Sequence, residues 1–377
     1  MEINRKLTNI IVNKLLDTKK VAVIYGARQT GKTTLAKEII KETKLKTLKI
    51  NADKEEYIDI LSSKNLMKLK SLTHGYDLLF IDEAQRVPEI GLNLKILTDE
   101  IPNLKILVTG SSSLDIASKI SESLTGRKQV YTLYPFALQE TGFDKNRFEI
   151  NQELEKSLIF GMYPEVYTTI NMRDKIDLLT EISTSYLYKD ILDLSNIKHH
   201  RKVRDLLRLL AFQIGSEVSI NELSNNLKIS ADTVETYIDL LEKSFVIFRL
   251  SGFSRNLRKE ITKRDKFYFY DLGIRNAVIN NFNYLNLRND KGGLWENFVI
   301  LERKKYLENN RKFANTYFWR TYTGAELDYV EEEGGNLHGF EIKYSKIKKN
   351  PPKTWVNEYK KATYKSISKD NYLNIIL

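Results

Sequence analysis

The stretch that decides the fold of the amino-terminal part is Val21-Ala22-Val23-Ile24-Tyr25-Gly26-Ala27-Arg28-Gln29-Thr30-Gly31-Lys32-Thr33-Thr34. Residues 21–25 are a short apolar run rich in β-branched side chains, which predicts a buried strand. Residues 26–34 fit the pattern G-x-x-x-x-G-K-[ST], and residues 35–40 behind them continue as a predicted helix. A glycine loop between a strand and a helix is the setting in which this pattern binds phosphate groups.

The residue types in this loop match the chemistry of a bound nucleotide. Gly26 and Gly31 permit backbone angles that turn the loop N–H groups inward, and the helix that follows adds the positive end of its dipole. Lys32 is expected to contact the β- and γ-phosphates, and the Thr33 hydroxyl to hold Mg²⁺. We therefore predict that residues 26–34 bind ATP together with Mg²⁺; a glycine turn that binds nothing is the alternative.

An acidic pair follows a second apolar run, at residues 78–81. Asp82 at the end of that predicted strand is placed to bind Mg²⁺ through water, and Glu83 to polarise the water that attacks the γ-phosphate. An acidic pair after such a strand is typical of the second nucleotide-binding motif, called Walker B. The alternative is an N-capping or solvated acidic pair.

Two further positions are candidates for a role in hydrolysis. Ser111 or Thr109, at the end of the next predicted strand, would sense the γ-phosphate, unless this segment only caps a helix. Arg127 would act as an arginine finger that stabilises transition-state charge, in its own site or in that of a neighbouring subunit. A plain surface arginine is the alternative, and an oligomer is required only if Arg127 acts on a neighbour.

Composition limits the partners and the location. The 377 residues include 60 Lys and Arg against 49 Asp and Glu, a net charge of +11 that favours nucleic acid as a partner. An AT-rich genome would encode a similar Lys-, Ile- and Asn-rich chain, so the charge alone decides nothing. The absence of cysteine fits a reducing compartment. No apolar stretch is long enough to span a membrane, so we expect a cytoplasmic chain with no membrane partner.

The pattern of elements predicts four parts. Strands alternating with helices indicate an α/β fold with a parallel-sheet ATPase domain over residues 1–145. A helical lid or connector follows at 146–215, and two short helices, a three-residue turn and a β pair predict a winged helix-turn-helix at 216–290. Residues 291–377 then form a small α/β domain, in which 291–293 are interpreted as a joint and 372–377 as a last strand.

The predicted recognition helix of the middle part is acidic. It carries Asp232, Glu235, Asp239 and Glu242, which would face phosphates if the helix entered a groove. Packing or a protein partner is therefore an equally good role for it. Two basic stretches beside it are better candidates for sequence-independent phosphate contacts, although either can be a solvated helix face or wing. They comprise Lys198, His199, His200, Arg201, Lys202, Arg204 and Arg208, and Arg255, Arg258, Lys259, Lys263, Arg264 and Lys266.

The carboxyl-terminal part contains a predicted hairpin with charged residues on one face. Side chains alternate along a strand, so Asp328, Glu341 and Lys343 converge if the register aligns, with Glu296 on the preceding helix nearby. Carboxylates that hold Mg²⁺ and a lysine that neutralises phosphate charge are what metal-assisted phosphodiester hydrolysis needs. The set is similar to the PD-(D/E)xK nuclease pattern, although Leu327 stands where proline is common. A structural ion-pair hairpin is the alternative.

Several of these segments resemble an AAA-type ATPase family of bacteria and archaea whose members carry a C-terminal domain called DUF4143. The resemblance rests on residues 26–35, 80–85 and 123–127, and also on 161–165, 188–191 and 267–273. It implies an ATPase core with the strand order of the AAA-type class, a winged-helix middle and a restriction-endonuclease-like end. Two functions follow: an ATP-dependent enzyme acting on nucleic acid, or a nucleotide-dependent switch for a protein partner with a non-catalytic C-terminal domain.

Overall fold

Five short strands form a parallel sheet in the order β2-β3-β4-β1-β5. They belong to a computed structural model that describes residues 3–110, 123–142, 144–186, 200–254, 264–345 and 350–377. The strands are β1 Val21–Tyr25, β2 Thr47–Asn51, β3 Leu78–Asp82, β4 Lys105–Gly110 and β5 Lys128–Thr132. The accompanying helices are α1 Leu7–Asp17, α2 Lys32–Thr43, α3 Ile58–Leu61, α4 Leu66–Thr73 and α5 Ile90–Glu100. They lie in the first of two units of the chain, which ends at Pro135 apart from short later segments.

Helices cover both faces of this sheet. Along β1, Val21, Val23 and Tyr25 contribute to one apolar core, and Ala22 and Ile24 contribute to another. A strand buried on both faces reads as a continuous apolar run, which is why the β1 sequence lacks polar alternation. The predicted parallel α/β class is confirmed.

The strand order brings three polar segments to one edge of the sheet. Strand β4 pairs with β1 on one side and with β3 on the other, so it separates the strand before the glycine loop from the strand that ends at Asp82. Because all the strands are parallel, their carboxyl ends meet at the same edge. The loop after Tyr25, the acidic pair at Asp82 and the end of β4 at Gly110 are therefore neighbours, as the AAA-type strand order requires.

The second unit, from Phe136 onward, begins with helices and continues with a small antiparallel sheet in the order β6-β8-β7. Residues 220–243 form two helices joined by a three-residue turn, as predicted. The elements are α6 Leu138–Thr141, α7 Arg147–Phe160, α8 Pro164–Thr168, α9 Met172–Glu181, α10 His200–Phe212, β6 Glu217–Val218, α11 Ile220–Leu227, α12 Ala231–Lys243, β7 Ile247–Leu250, β8 Asp265–Phe269 and α13 Leu272–Val278.

A four-stranded sheet in the order β12-β11-β10-β9 ends this unit. Its central hairpin is the predicted one, and a long helix precedes it. The elements are α14 Lys291–Asn309, β9 Asn315–Arg320, β10 Glu326–Glu333, β11 Asn336–Ile342, α15 Lys353–Glu358, β12 Thr363–Ile367 and α16 Leu373–Ile376. Throughout the described ranges, every helix is too short or too polar to cross a lipid bilayer.

Two local predictions in this region are wrong. Residues 291–293 are the first turn of α14 rather than a joint, and a Cβ at Gly293 would lie 2.7 Å from the Ile214 carbonyl oxygen, so the glycine serves close packing. Residues 373–376 form a helical turn rather than a strand, because a short apolar run does not distinguish the two by its pattern. The second strand that pairs with β11 is β12, which the sequence analysis did not predict because most of its residues are polar.

Candidate nucleotide-binding site and carboxylate cluster

The glycine loop has the backbone that its sequence predicts. Gly26 has φ +155° and Gly31 has φ +90°, both in the region that side chains rarely adopt. A Cβ on Gly26 would lie 2.2 Å from the Leu133 carbonyl oxygen, since the chain leaving β5 runs against the loop. Gly31 is the residue from which helix α2 begins. The two glycines therefore fix the path of the loop.

Lys32 lies beneath the loop that precedes it. Its side chain is only 5% exposed, and its Nζ donates hydrogen bonds to the carbonyls of Gly26, at 3.0 Å, and Ala27, at 2.8 Å. In the same loop, the side-chain Oε1 of Gln29 is buried without a hydrogen-bond partner. A cation already directed at the centre of a phosphate-binding loop fits a triphosphate there, because the oxygens of a phosphate can replace the carbonyls.

Oxygen ligands for a magnesium ion meet at the ends of the neighbouring strands. The Thr33 hydroxyl donates to Asp82 Oδ2 at 2.9 Å, and the Thr109 hydroxyl donates to the other carboxylate oxygen of Asp82. Hydroxyl and carboxylate oxygens are the hard donors that Mg²⁺ prefers. The residues present therefore fit Mg²⁺, with Thr33 and Asp82 as the groups that would hold it.

Glu83 is fixed in position by two contacts. Its N–H donates to the Thr109 hydroxyl at 3.4 Å, and its carboxylate accepts a hydrogen bond from the Gln85 side chain. Its backbone has φ +53°, a strained angle for a residue with a side chain. Thr109, one of the two predicted sensor positions, thus contacts both acidic residues, whereas Ser111 lies outside the described residues.

Sequence reasoning missed Arg5. This arginine is 7% exposed; it donates to the Tyr134 carbonyl at 3.2 Å and to the Thr30 carbonyl in the glycine loop. It therefore joins the loop to the segment that follows β5. Its partners lie 25 and 129 residues away in sequence, a separation that no local pattern reveals.

Arg127 lies at the amino-terminal ends of the strands, opposite to the end where the glycine loop lies. Its carbonyl accepts from the N–H of Val21, the first residue of β1, whereas the glycine loop follows the last residue of that strand. A strand rises about 3.3 Å per residue, which puts this end roughly 13 Å from the loop. The guanidinium Nε instead contacts Asp99 Oδ1 at 2.6 Å. The structure does not bring Arg127 to the loop of its own chain, so action on a neighbouring subunit stays a prediction.

The carboxyl-terminal hairpin has the register that converges its charges. Tyr329 pairs with Phe340, which sets Asp328 opposite Glu341. Asp328 is 3% exposed and Glu341 is 1% exposed, and Lys343 Nζ contacts them at 3.2 Å and 3.3 Å. The Ile342 N–H also donates to Asp328 at 2.7 Å. Burial alone would lower the pKa of Lys343, but the two carboxylates outweigh it and raise that pKa.

Glu296 on helix α14 also lies at this hairpin, with partners on β8. It accepts hydrogen bonds from Lys266 Nζ at 3.1 Å and from the Tyr268 hydroxyl at 2.6 Å. Burial raises the pKa of Glu296 to about 7; Lys266 opposes that rise, and the charge of Asp328 adds to it. Glu296, Asp328, Glu341 and Lys343 are called the carboxylate cluster below.

The neighbouring residue of α14 fixes the helix on the same strand. The Asn297 side chain accepts from the Phe269 N–H at 2.7 Å and donates to the Phe269 carbonyl at 2.9 Å. A carboxamide thereby supplies the two hydrogen bonds that a neighbouring strand would otherwise make.

The arrangement of the cluster differs in one respect from the predicted metal set. Across the part of the chain that the structure describes, no group of three or more His, Asp or Glu side chains is close enough to hold a metal ion. Asp328 and Glu341 meet through Lys343, and Glu296 is held by Lys266 and Tyr268. The described residues therefore do not gather the three carboxylates around one point, and a metal ion bound by all three stays a prediction.

The charged stretches of the middle part are only partly available to a partner. Lys266 is buried against Glu296, so its assignment to phosphate contacts is wrong. On helix α12, the carboxylates of Glu235 and Glu242 lie 3.2 Å and 3.4 Å from the Arg249 guanidinium, so both acids are paired within the fold. Arg201 is exposed, whereas Lys198, His199 and residues 255–263 lie outside the described ranges.

Comparison with known families defines the class of protein. Residues 18–142 match the family model described as an AAA domain, residues 291–371 match the domain of unknown function DUF4143, and residues 151–285 match the domain of unknown function DUF8612. The chain therefore combines an AAA-type P-loop ATPase domain, which binds nucleotide, with a C-terminal DUF4143 domain. The expected resemblance is confirmed.

Individual relatives extend over most of the chain. An uncharacterized protein of Mycobacterium tuberculosis is 29% identical over 346 residues, which cover 91% of this chain and 74% of the relative. An uncharacterized protein of Methanocaldococcus jannaschii is 28% identical over 328 residues, covering 80% and 72%. Among solved structures, the Walker-type ATPase of Pyrococcus abyssi matches 73% of this chain and 95% of its own, with a TM-score of 0.50 and 17% identity. That likeness supports the fold.

Proposed function

We propose that this protein is a Mg²⁺-dependent ATPase whose nucleotide state controls a nuclease-like domain acting on DNA. The observation that carries the ATPase part is the hydrogen bond between Thr33 and Asp82 at 2.9 Å. Glu83 follows Asp82 directly, and Lys32, which precedes Thr33, donates to carbonyls of the glycine loop. These four groups are the ones that phosphoryl transfer to water requires at one place.

Each side chain has a defined task in hydrolysis. Lys32 binds the β- and γ-phosphate oxygens and neutralises their charge, while the loop N–H groups orient them. Glu83, held by Gln85, orients the attacking water and accepts its proton. Bound Mg²⁺ would supply further charge neutralisation at the phosphates. Thr109 holds Asp82 and Glu83 in a fixed relation, so the acid that binds the ion and the acid that acts as base move together.

The carboxylate cluster supports the second part of the proposal. Asp328 and Glu341 lie opposite each other on adjacent strands with Lys343 between them, as the nuclease-like pattern requires. The order helix, strand, two helices and two strands over residues 200–269 is that of a winged helix, and we assign it that role here. Arg201 and Arg264 are exposed cations of the predicted basic stretches, which suits sequence-independent contact with phosphates.

Two assays test the two parts separately. Release of phosphate from ATP is measured with Mg²⁺ and with EDTA, for the wild type, Lys32→Met and the exposed-lysine control Lys37→Met. Cleavage of plasmid and linear DNA is measured with Mg²⁺ or Mn²⁺, with and without ATP, for the wild type, Lys343→Ala and the near-isosteric Glu341→Gln. Circular dichroism of each variant separates a lost active site from a lost fold. ATPase without metal, or cleavage that survives both cluster variants, would contradict the corresponding part.

The cluster also favours a second candidate function. Lys343 and Lys266 compensate the three carboxylates within the fold, which is the arrangement of a structural ion-pair network. On this alternative, the protein is a nucleotide-dependent switch whose C-terminal domain binds a protein partner and does not cut. ATPase activity that DNA does not change, with no cleavage of any substrate under either metal, would favour the switch.

The subunit arrangement follows from the same proposal. Since Arg127 is distant from the loop of its own chain, a catalytic role for it requires a second subunit. Light scattering with and without ATP would detect that assembly, and Arg127→Ala would slow hydrolysis only under conditions in which the assembly forms. Equal loss of activity in a strictly monomeric sample would contradict the idea.

A further inference from the structure

A pocket of about 340 Å³ opens on the second unit, outside the groups that the proposed chemistry uses. Its walls come from the start of β6, the residue before β8, the end of β9 and the turn that follows β9. They include Glu217, Arg264, Phe318, Arg320, Thr321 and Tyr322. The volume is that of a site for a small ligand or for one unit of a polymer. We call it the Tyr322 pocket.

The buried residue Phe318 lines the floor of the Tyr322 pocket and lies near the carboxylate cluster. Phe318 is 3% exposed; its N–H donates to the Ser251 carbonyl at 3.0 Å, and its carbonyl accepts from the Phe253 N–H at 2.6 Å. Lys266 Nζ lies 5.5 Å from the centre of the Phe318 ring and 3.1 Å from Glu296 Oε1. One ring and one ammonium group therefore connect this floor to the cluster.

The rim of the pocket carries an exposed aromatic ring and two cations. Tyr322 is 96% exposed, although an aromatic side chain of a monomeric domain usually covers its ring. Arg264 is exposed, and the Arg320 guanidinium is half exposed and pairs with Glu217 at 2.9 Å through Nη1. A guanidinium has five N–H donors, so Arg320 can bind a phosphate oxygen and retain Glu217. An open ring beside cations is the combination with which proteins hold unpaired bases and the backbone phosphates around them.

We propose that the Tyr322 pocket binds one nucleotide of a single-stranded nucleic acid. The base stacks on Tyr322, and the flanking phosphates contact Arg264 and Arg320. A base within a duplex hides its face in the stack, so the pocket selects an unpaired strand. The proposal rests on the proposed function, because it names the place where a strand is held next to the carboxylate cluster. DNA and RNA share this chemistry, and the test distinguishes them.

The test is a binding measurement that does not depend on cleavage. Fluorescence anisotropy with EDTA follows the binding of a labelled oligothymidylate of about 15 nucleotides, of the matching oligouridylate, and of a duplex of the same length. The variants are Tyr322→Ala and Tyr322→Phe, with Phe313→Ala as the control because Phe313 is 84% exposed in the same unit and does not line the pocket. Because Tyr322 is exposed, its replacement leaves the fold intact.

Stacking predicts a specific set of results. Tyr322→Ala weakens binding of the single strand about tenfold, Tyr322→Phe retains it, and Phe313→Ala does not change it. Duplex binding is weaker and insensitive to Tyr322. Arg264→Ala lowers the slope of log affinity against log salt by about 0.7, as expected for one lost phosphate contact on a single strand. The exposed Arg173 supplies the matched control, since Arg173→Ala leaves the slope unchanged.

Three results would overturn the proposal in different ways. Wild-type binding with an unchanged affinity of Tyr322→Ala would exclude the pocket and leave the proposed function standing. If the wild type binds neither of the two single strands nor the duplex, both the pocket and nucleic acid as the partner are excluded. A loss in Tyr322→Phe equal to that in Tyr322→Ala would exclude stacking as the basis of recognition.

Discussion

The glycine loop and the carboxylate cluster each combine a lysine with acidic side chains, yet they give those charges different partners. Lys32 donates to two main-chain carbonyls, and Asp82 accepts from two hydroxyl groups. In the cluster, Lys343 contacts the carboxylates of Asp328 and Glu341 directly. A phosphate or a metal ion can replace neutral partners at little cost, whereas a broken buried ion pair leaves a charge without compensation.

The comparison therefore predicts two kinds of mutant. Removing a charge at the loop should reduce activity and leave the fold, because the site is arranged for an incoming ligand. Removing a charge at the cluster should reduce stability first. In a nuclease assay of cluster variants, circular dichroism must therefore show that each variant is folded.

The largest effect is expected for Lys343→Met, which keeps the side-chain stem and removes the ammonium. Two carboxylates that are almost fully buried would then share one site without a cation, and we expect the free energy of unfolding to fall by about 4 kcal/mol. Urea unfolding measures this, with Lys365→Met on the neighbouring strand β12 as the exposed control. A loss below about 1 kcal/mol would show that the cluster is not held by its charges.

The matching change at the loop is Lys32→Met. We expect the rate of ATP hydrolysis to fall by about 10²–10³, the usual effect of removing one group that stabilises transition-state charge. The free energy of unfolding should change by only about 1 kcal/mol, since the carbonyls of Gly26 and Ala27 that Lys32 contacts are neutral. Steady-state phosphate release and urea unfolding of the same sample give both numbers. A variant as unstable as Lys343→Met would remove the distinction between the two sites.

A third charged group extends the comparison to acid pH. Burial opposes ionisation of Asp290, but the hydrogen bond from Arg288 and the charge of Arg275 outweigh it and lower the pKa to about 2. An unfolded aspartate has a pKa of about 3.9, so the stabilisation by Asp290 is complete above that value and is lost as the pH falls toward 2. Asp290→Asn should lower the free energy of unfolding by about 3 kcal/mol at neutral pH.

The pH series tests the charge rather than the side-chain volume. The difference between wild type and Asp290→Asn should shrink as the pH falls from about 4 to about 2, because the carboxylate of the unfolded chain binds a proton in this range before that of the folded chain does. Thermal unfolding across this range measures it, with the exposed Asp177→Asn as the control. A difference that stays constant down to the lowest pH would assign the effect to packing.

The smallest effect concerns Thr109. Thr109→Val keeps the shape of the side chain and removes its hydrogen bonds to Asp82 and Glu83, so we expect hydrolysis to slow roughly tenfold. Thr109→Ser keeps the hydroxyl and should restore most of the rate. Equal rates for the valine variant and the wild type would show that Asp82 holds its position without this residue.

The parts that sequence predicted are those whose information is local. The glycine loop is one contiguous stretch, and the approach of Asp328 to Glu341 follows from strand alternation and one turn. Lys266 was misassigned because Glu296, its partner, lies 30 residues later on a helix. Arg5 was missed because its contacts are 25 and 129 residues away in sequence. Side chains whose role depends on packing between distant elements leave no periodic signal in the sequence.

The hydrogen bonds between helix α14 and strand β8 limit where this protein can be divided into separate fragments. Glu296 and Asn297 are consecutive residues that bind Lys266, Tyr268 and Phe269 of that strand. We therefore expect the middle sheet and the carboxyl-terminal domain to fold as one piece, because a fragment that starts at residue 291 would bury Glu296 without its cation. In a recombined protein, the natural place to join a foreign partner is before this piece and not within it.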